Sequence, residues 1–204
     1  MEEVDQQPES NIDVETGEYY HSLEEMQALA KILECDTLIN CTGMGSKALV
    51  KDPNMIGARG VLLQLDRNNC PRREALEGMT KDAIIIADSP PWGSDTEPAY
   101  MIPRGDIIAV GGTYLEGDAH PYLRDSERTR LLNNAQLLGV DVANAPVVGE
   151  WTGFRPSRPT VRCEEEKSST GVRTIHNYGH GGSGWTVNVG AAKEVANILL
   201  GSKR

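Results

Sequence analysis

The sequence predicts a mixed α/β (α+β) fold, with antiparallel strands in its middle and α/β-type edges at both ends. Three observations carry this expectation. A stretch of helical periodicity runs into a short apolar strand near the start. Short apolar runs separated by tight turns occupy the middle, the pattern of hairpin-connected strands. A strand, a glycine-rich loop and an apolar-striped helix follow one another in the last thirty residues.

The elements can be justified in order. Residues 1–20 are polar, acidic and without periodicity, the pattern of a flexible lead-in. Ser22 and Glu25 have the spacing of a capping box. Leu23, Met26, Leu29, Ala30 and Leu33 then recur at helical intervals, so a helix is expected over about 22–34. Asp36 to Cys41 reads as a short buried strand that runs into the turn Thr42-Gly43-Met44-Gly45, where α/β folds place ligands. Strands are expected at Val61–Leu65, Ala83–Ala87, Tyr100–Pro103 and Ile107–Gly112, with residues 66–82 and Ser89–Ser94 as loops and Arg104-Gly105-Asp106 as a turn. A helix capped near Asp125 should set Leu131, Leu132, Ala135 and Leu138 on one face and stop at Gly139. After a strand at Thr174-Ile175, glycines crowd the turn from His176. Val187, Ala191, Ala192, Val195 and Leu199 then form one stripe of a helix stopped by Gly201.

Composition narrows the functional classes. The formal charge is −10, and the seven acidic residues within 1–20 supply −7 of it, which argues against a nucleic-acid partner. The apolar runs are too short to span a bilayer, and no signal peptide is read at the start. Cys35, Cys41, Cys70 and Cys163 show no paired spacing, so reduced, buried thiols of an intracellular protein are expected. The final Ser202-Lys203-Arg204 approximates the peroxisomal S-K-L address but ends in a guanidinium, so peroxisome and cytoplasm both stay open as locations.

Three groups of residues could carry chemistry. The glycine-rich turn, with Gly181, Gly182, Ser183, Gly184, Trp185 and Thr186, would bring backbone N–H groups and a helix dipole up to a flat or anionic ligand, or would serve only as a tight connection. In Gly153-Phe154-Arg155-Pro156-Ser157-Arg158-Pro159 the prolines fix the backbone beside two guanidinium groups suited to a carboxylate. For Arg158 a structural role, capping carbonyls or pairing with an acid, is the stronger reading. Tyr100, between Pro98 and Pro103, could offer its hydroxyl to a ligand or simply sit half-buried with that hydroxyl in water. His176 and His180 are four apart, but the glycines around them disfavour the helix that a metal pair needs, and no metal is expected.

Taken together, several runs resemble the D-amino acid oxidase family, which includes D-aspartate oxidase. They are Ile39-Asn40-Cys41-Thr42-Gly43, Arg59-Gly60, Tyr100-x-Ile102-Pro103, Gly111-Gly112-Thr113, Thr152-Gly153-Phe154-Arg155-Pro156 and His176 to Thr186, in that order. The resemblance implies a partial FAD-binding Rossmann-like domain plus an antiparallel-sheet substrate domain. Residues 21–204 would be the C-terminal part of such an oxidoreductase, with substrate-domain strands over about 60–125 and the flavin-contacting turn and helix over 174–201. It also implies FAD as cofactor and a D-amino acid and dioxygen as small-molecule partners. Hydride would pass from the substrate Cα to the flavin. The imino acid would hydrolyse to a 2-oxo acid and ammonia, and dioxygen would leave as hydrogen peroxide. By the same resemblance no side chain acts as a strong base. Arg155 would clamp the substrate carboxylate, Tyr100 would add a hydrogen bond, and the Gly182 carbonyl would receive the amino group. Thr42, Gly43 and the turn from Gly181 to Thr186 would lie against the flavin.

Three departures qualify the resemblance. Thr96 stands where family members often have a second tyrosine, so the cover over the substrate could differ. Tyr114 follows Gly-Gly-Thr where D-aspartate oxidases carry arginine, which tilts the expectation to neutral D-amino acids, with D-aspartate and glycine- or sarcosine-type amines as alternatives. The family's N-terminal strand–G-x-G-x-x-G–helix unit is missing, and no such glycine pattern is expected elsewhere in the chain. That absence raises a non-catalytic alternative, a remnant that associates with a partner chain. It would also leave a sheet edge prone to association, self-association included.

Overall fold

A computed structural model of the chain describes residues 22–69, 84–86, 98–138 and 145–201. The acidic lead-in, His21, Cys70, most of the 66–82 loop, Ala83, Ala87, Ser89–Ser94, Thr96, Gly139 and the terminal Ser-Lys-Arg lie outside them. The chain divides into two compact units, Met1–Gly57 with Arg155–Arg204, and Ala58–Phe154.

The first unit opens with α1 (Leu23–Ile32), where the Ser22 hydroxyl accepts from the Glu25 N–H at 3.2 Å. That satisfies one of the amides a helix start leaves open. Ser22→Ala should therefore cost about 1 kcal/mol, a fall of about 2–4 °C in the melting midpoint; an unchanged midpoint would show that the cap is not needed. Within α1 the buried positions are Gln27 and Ala30, and Gln27 donates to Thr174 Oγ1 at 3.0 Å, which ties the helix to the end of the chain. Strand β1 (Thr37–Asn40) leads through a single 3-10 turn (Gly43–Gly45) into the short α2 (Ser46–Leu49).

In the second unit β2 (Ile56–Asp66) pairs antiparallel with β5 (Ile107–Gly111), and β5 with β4 (Ala99–Arg104), which in turn holds β3 (Ile84–Ile86). The two-residue β6 (Leu115–Glu116) adds to the start of β2. Helix α3 (Asp125–Leu137) begins one residue earlier than its sequence suggests, with Arg124 as the cap: its N–H donates to Glu127 Oε2 at 2.8 Å. Leu131, Ala135 and Leu138 enter one core with Val61, Leu63, Leu65, Ala99, Met101, Ile108 and Val110. Alternate residues of β2 thus meet alternate residues of β4 and β5 under the helix.

A buried ion cluster locks this unit. Arg59, fully buried, donates to both carboxylate oxygens of Glu127 (2.5 and 3.1 Å), to the His120 carbonyl at 2.6 Å and to the Tyr122 carbonyl. Arg124 adds a fork onto Asp118 at 2.7 and 3.0 Å. Those bonds hold the Asp118 carboxyl down at about 2, below the roughly 3.9 of an unfolded aspartate. A lowered folded value gives stability that is complete above the unfolded value and lost as the pH falls through the folded one. Asp118→Asn should accordingly flatten the acid limb of melting midpoint against pH between about 4 and 2. An identical limb in both proteins would remove Asp118 from the account.

Strand β7 (Val147–Glu166) is twenty residues long despite Pro156 and Pro159. The register against β8 (Arg173–His180) shifts between Ser157 and Arg162, so Pro159 sits in an irregularity, where a residue without an N–H is tolerated. In the first unit β8 pairs antiparallel with β7 and parallel with β1. A second 3-10 turn (Gly181–Ser183) then starts α4 (Gly184–Leu199). Three sequence expectations need correction here. The strand does not stop at Ile175, because His176 and Tyr178 are buried in it, and only Gly181–Ser183 form the turn. Among the described residues Cys35, Cys41 and Cys163 form no disulfide, but Cys35 and Cys41 are exposed and Cys163 is half-buried, so they are not core residues. The stripe expected on α4 also buries only Val195, while Val187 and Leu199 stay exposed. Among the described residues no helix is long and apolar enough to cross a membrane, and no group of three His, Cys, Asp or Glu could hold a metal.

Candidate functional site

In the first unit, three segments singled out in the sequence come together. Gly43, at φ +57°, lies against Pro156: a Cβ there would sit 3.5 Å from the proline ring. Gly181, at φ +56°, faces Ser157 Oγ at 3.1 Å by the same measure, and Gly182 faces Arg155 Cδ at 3.4 Å. Arg155-Pro156-Ser157 of β7 thus lies against both the 43–45 turn and the 181–183 turn. Thr42 and Arg155 are half-buried, whereas Gly182, Ser183, Trp185 and Thr186 are exposed. Glycine is needed at 181 because the positive φ excludes most side chains.

The start of α4 is chemically open. Ser183 makes no side-chain cap, and its first turn holds no acidic residue. Its leading N–H groups and dipole therefore favour a group on which negative charge develops. Arg158 does not join them: it donates to the Thr160 carbonyl at 2.8 Å and pairs with Asp52 at 3.0 Å. Tyr100 belongs to the other unit. It is half-buried, and its ring covers Gly111 and Gly112, where a Cβ would fall within 3 Å of ring atoms.

The glycine pattern needs a further correction. G-x-G-x-x-G does occur, as Gly179-His180-Gly181-Gly182-Ser183-Gly184, after β8 and opening α4. Its context is not the dinucleotide unit, because among the described residues α4 leads to no parallel strand, and β1, the parallel neighbour of β8, precedes it in sequence.

Sequence reasoning missed one group of functional interest. Asp52, Tyr178, Arg162, Glu166, His176 and Asn40 form a connected polar network behind the 42–46 segment. Its bonded members lie up to 136 positions apart, and no local spacing announces them.

The family described as FAD dependent oxidoreductase (DAO) matches residues 8–198. The chain belongs to that family. D-amino-acid oxidase from Streptomyces coelicolor is 32% identical over 177 residues, 85% of this chain and 51% of that protein. The D-amino-acid oxidase of Rubrobacter xylanophilus is 31% identical, over 86% of this chain and 50% of that one. The chain spans about half the length of the curated relatives it matches. Glycine oxidase from Bacillus cereus superposes with a TM-score of 0.62 at 16% identity, covering 83% of this chain and 44% of that one, which shows a common fold. FAD is the cofactor of this FAD-dependent oxidoreductase family. The residues present fit its ring end: an uncapped helix start without acidic residues, and a turn whose Gly181 has a positive φ with Ser157 Oγ only 3.1 Å from where a Cβ would sit.

Proposed function

We propose that this chain carries the substrate-facing and flavin-facing part of an oxidase of D-amino acids, neutral ones preferred, whose products are a 2-oxo acid, ammonia and hydrogen peroxide. The observation that carries it is Arg155 lying against Gly182 at the open start of α4. There a guanidinium can hold a carboxylate while the Gly182 carbonyl accepts from the amino group on the same carbon. FAD, when bound, accepts the two electrons of the oxidation. Thr42, Gly43 and the Gly181–Thr186 segment hold its ring end, with the α4 dipole opposing the charge that builds there. The protein's part is orientation, since fixed reactants remove much of the barrier. Tyr100 is assigned a hydroxyl contact to substrate on the strength of its motif. Tyr114, in place of arginine, favours neutral substrates, and the similarity to glycine oxidase makes glycine and sarcosine the comparison substrates, together with D-aspartate.

The test is the visible spectrum of the purified chain with and without added FAD. Bands that co-elute with protein and bleach anaerobically with D-alanine support the reading. A chain that retains flavin yet is bleached only by glycine would replace D-amino acids as substrates. A second reading, association with a partner chain, is favoured by the exposure of Trp185, Val189 and Leu200 around α4 and of Ile39 on β1. Light scattering discriminates: a stable monomer with tightly bound FAD would exclude it.

A further inference from the structure

Behind the 42–46 segment a single backbone donor fixes the direction of the hydrogen bonds that run from Thr42 through Asn40 and His176 to Glu166. The Thr42 N–H, which can only donate, meets Asn40 Oδ1 at 3.1 Å, and the Thr42 hydroxyl meets the same oxygen at 2.8 Å. The oxygen of the Asn40 amide must therefore face Thr42, because a backbone N–H can meet only an acceptor. Asn40 Nδ2 then faces Ser46 Oγ at 3.2 Å and His176 Nδ1 at 3.1 Å. An NH2 group can only donate, so Nδ1 of His176 must be the bare acceptor and Nε2 must carry the proton. That proton points to Glu166 Oε2 at 3.1 Å. Glu166 is held in turn by Arg162 Nη2 at 2.7 Å, and Arg162 Nη1 donates at 2.9 Å to Tyr178 Oη, which donates to Asp52 Oδ2 at 2.7 Å. Asn40, Ser46, Asp52, Tyr178 and His176 are all buried.

We propose that neutral His176, acting through Asn40, is a positioning residue that fixes the direction of the Thr42 amide and of the Thr42 and Ser46 hydroxyls. The inference rests on the reading that the Thr42-Gly43 segment lies beside the flavin. A second proton on the ring would set an N–H of Nδ1 against the Asn40 NH2. Asn40 could then keep His176 only by rotating its amide, which would turn the NH2 onto the Thr42 N–H and free the segment. The groups facing the imidazole are Glu166, Glu164 and Arg162 from β7, Tyr178 edge-on at 5.7 Å from β8, and Asn40 from β1. Burial first, and then the Arg162 charge, push the imidazole below its ordinary value despite the two glutamates, so the neutral ring is the form present near neutral pH.

The test separates the two ring nitrogens. In His176→Asn the side-chain carbonyl can still accept from Asn40 but cannot reach Glu166. In His176→Gln the amide reaches Glu166 but does not accept from Asn40. Amide exchange at Thr42 is read in the full chain without FAD, and FAD affinity is read by absorbance titration. The Asn variant should keep wild-type exchange and FAD affinity. The Gln variant should exchange about tenfold faster at Thr42 and bind FAD about tenfold more weakly, the worth of one hydrogen bond. Equal loss in both variants would reduce His176 to a packing residue and overturn the proposal. The wild-type chain supplies an arm free of substitutions: on acidification, Thr42 protection, corrected for the intrinsic exchange rate, should fall before far-ultraviolet circular dichroism changes. Loss of both together would also overturn it. A wild-type chain that binds no FAD would defeat the flavin reading, while the exchange pattern would still decide the role of His176.

Discussion

Arg59→Met should lower the melting midpoint by on the order of 10 °C, the largest effect on stability expected of any single change here. Removing one partner of a buried ion pair leaves the other charged and desolvated, at a cost of about 3–5 kcal/mol, and each kcal/mol is worth about 2–4 °C in a chain of this size. Arg124, 3.2 Å from Glu127, offsets part of that loss and favours the lower end. The double variant Arg59→Met with Glu127→Leu should recover only part of the stability. The His120 carbonyl, which now accepts from Arg59, would lose that donor, and the Tyr122 carbonyl would keep only the His120 ring nitrogen 2.8 Å away. Full recovery in a double-mutant cycle would show that the carbonyl bonds contribute nothing.

Arg155→Ala, in the FAD-loaded protein, should reduce kcat/KM for D-alanine about 100-fold, equivalent to about 3 kcal/mol of lost charge-assisted hydrogen bonding. Arg155→Lys keeps the charge but loses the planar fork, so it should fall between the two. Anaerobic bleaching followed by stopped flow measures this directly, since it separates substrate binding from electron transfer. If Arg155→Ala bleached at the wild-type rate and half-saturation, the carboxylate would be held elsewhere. The flavin spectrum of the resting protein should be unaffected, because the residue is assigned to the substrate.

What the sequence disclosed follows from the range of the interactions concerned. Helix α1 was legible because its cap and periodicity lie within a dozen residues, and the β4–β5 hairpin because Arg104-Gly105-Asp106 is a local turn signal. Strand β7 was not legible as a strand of twenty residues. Two prolines and two glycines argue locally against it, and it persists because the register shift takes up Pro159 and a partner strand lies alongside. Strand β8 was cut short for a similar reason: Gly179 at φ +87° reads as a turn, yet it is glycine there because Arg158 would lie 2.8 Å from a Cβ. Arg155, Gly182 and Thr42-Gly43 were identified from resemblance, and in the first unit the structure brings Arg155 to Gly182, and Gly43 to its neighbour Pro156. The relay from Asp52 to Thr42 had no such signal, since its polar members look like ordinary surface residues until the pairing of β1, β7 and β8 brings those on the strands together.

Trp185 stands 90% exposed one residue into α4. An indole so placed emits at long wavelength, in the region where an oxidised flavin absorbs, and it is joined by a rigid helical turn to the segment assigned to the ring. The protein therefore carries its own energy-transfer donor. Occupancy of the neighbouring turn becomes readable as loss of that emission at micromolar concentration without any attached dye, and Trp185→Phe supplies the blank that subtracts the light from Trp151 and Trp92.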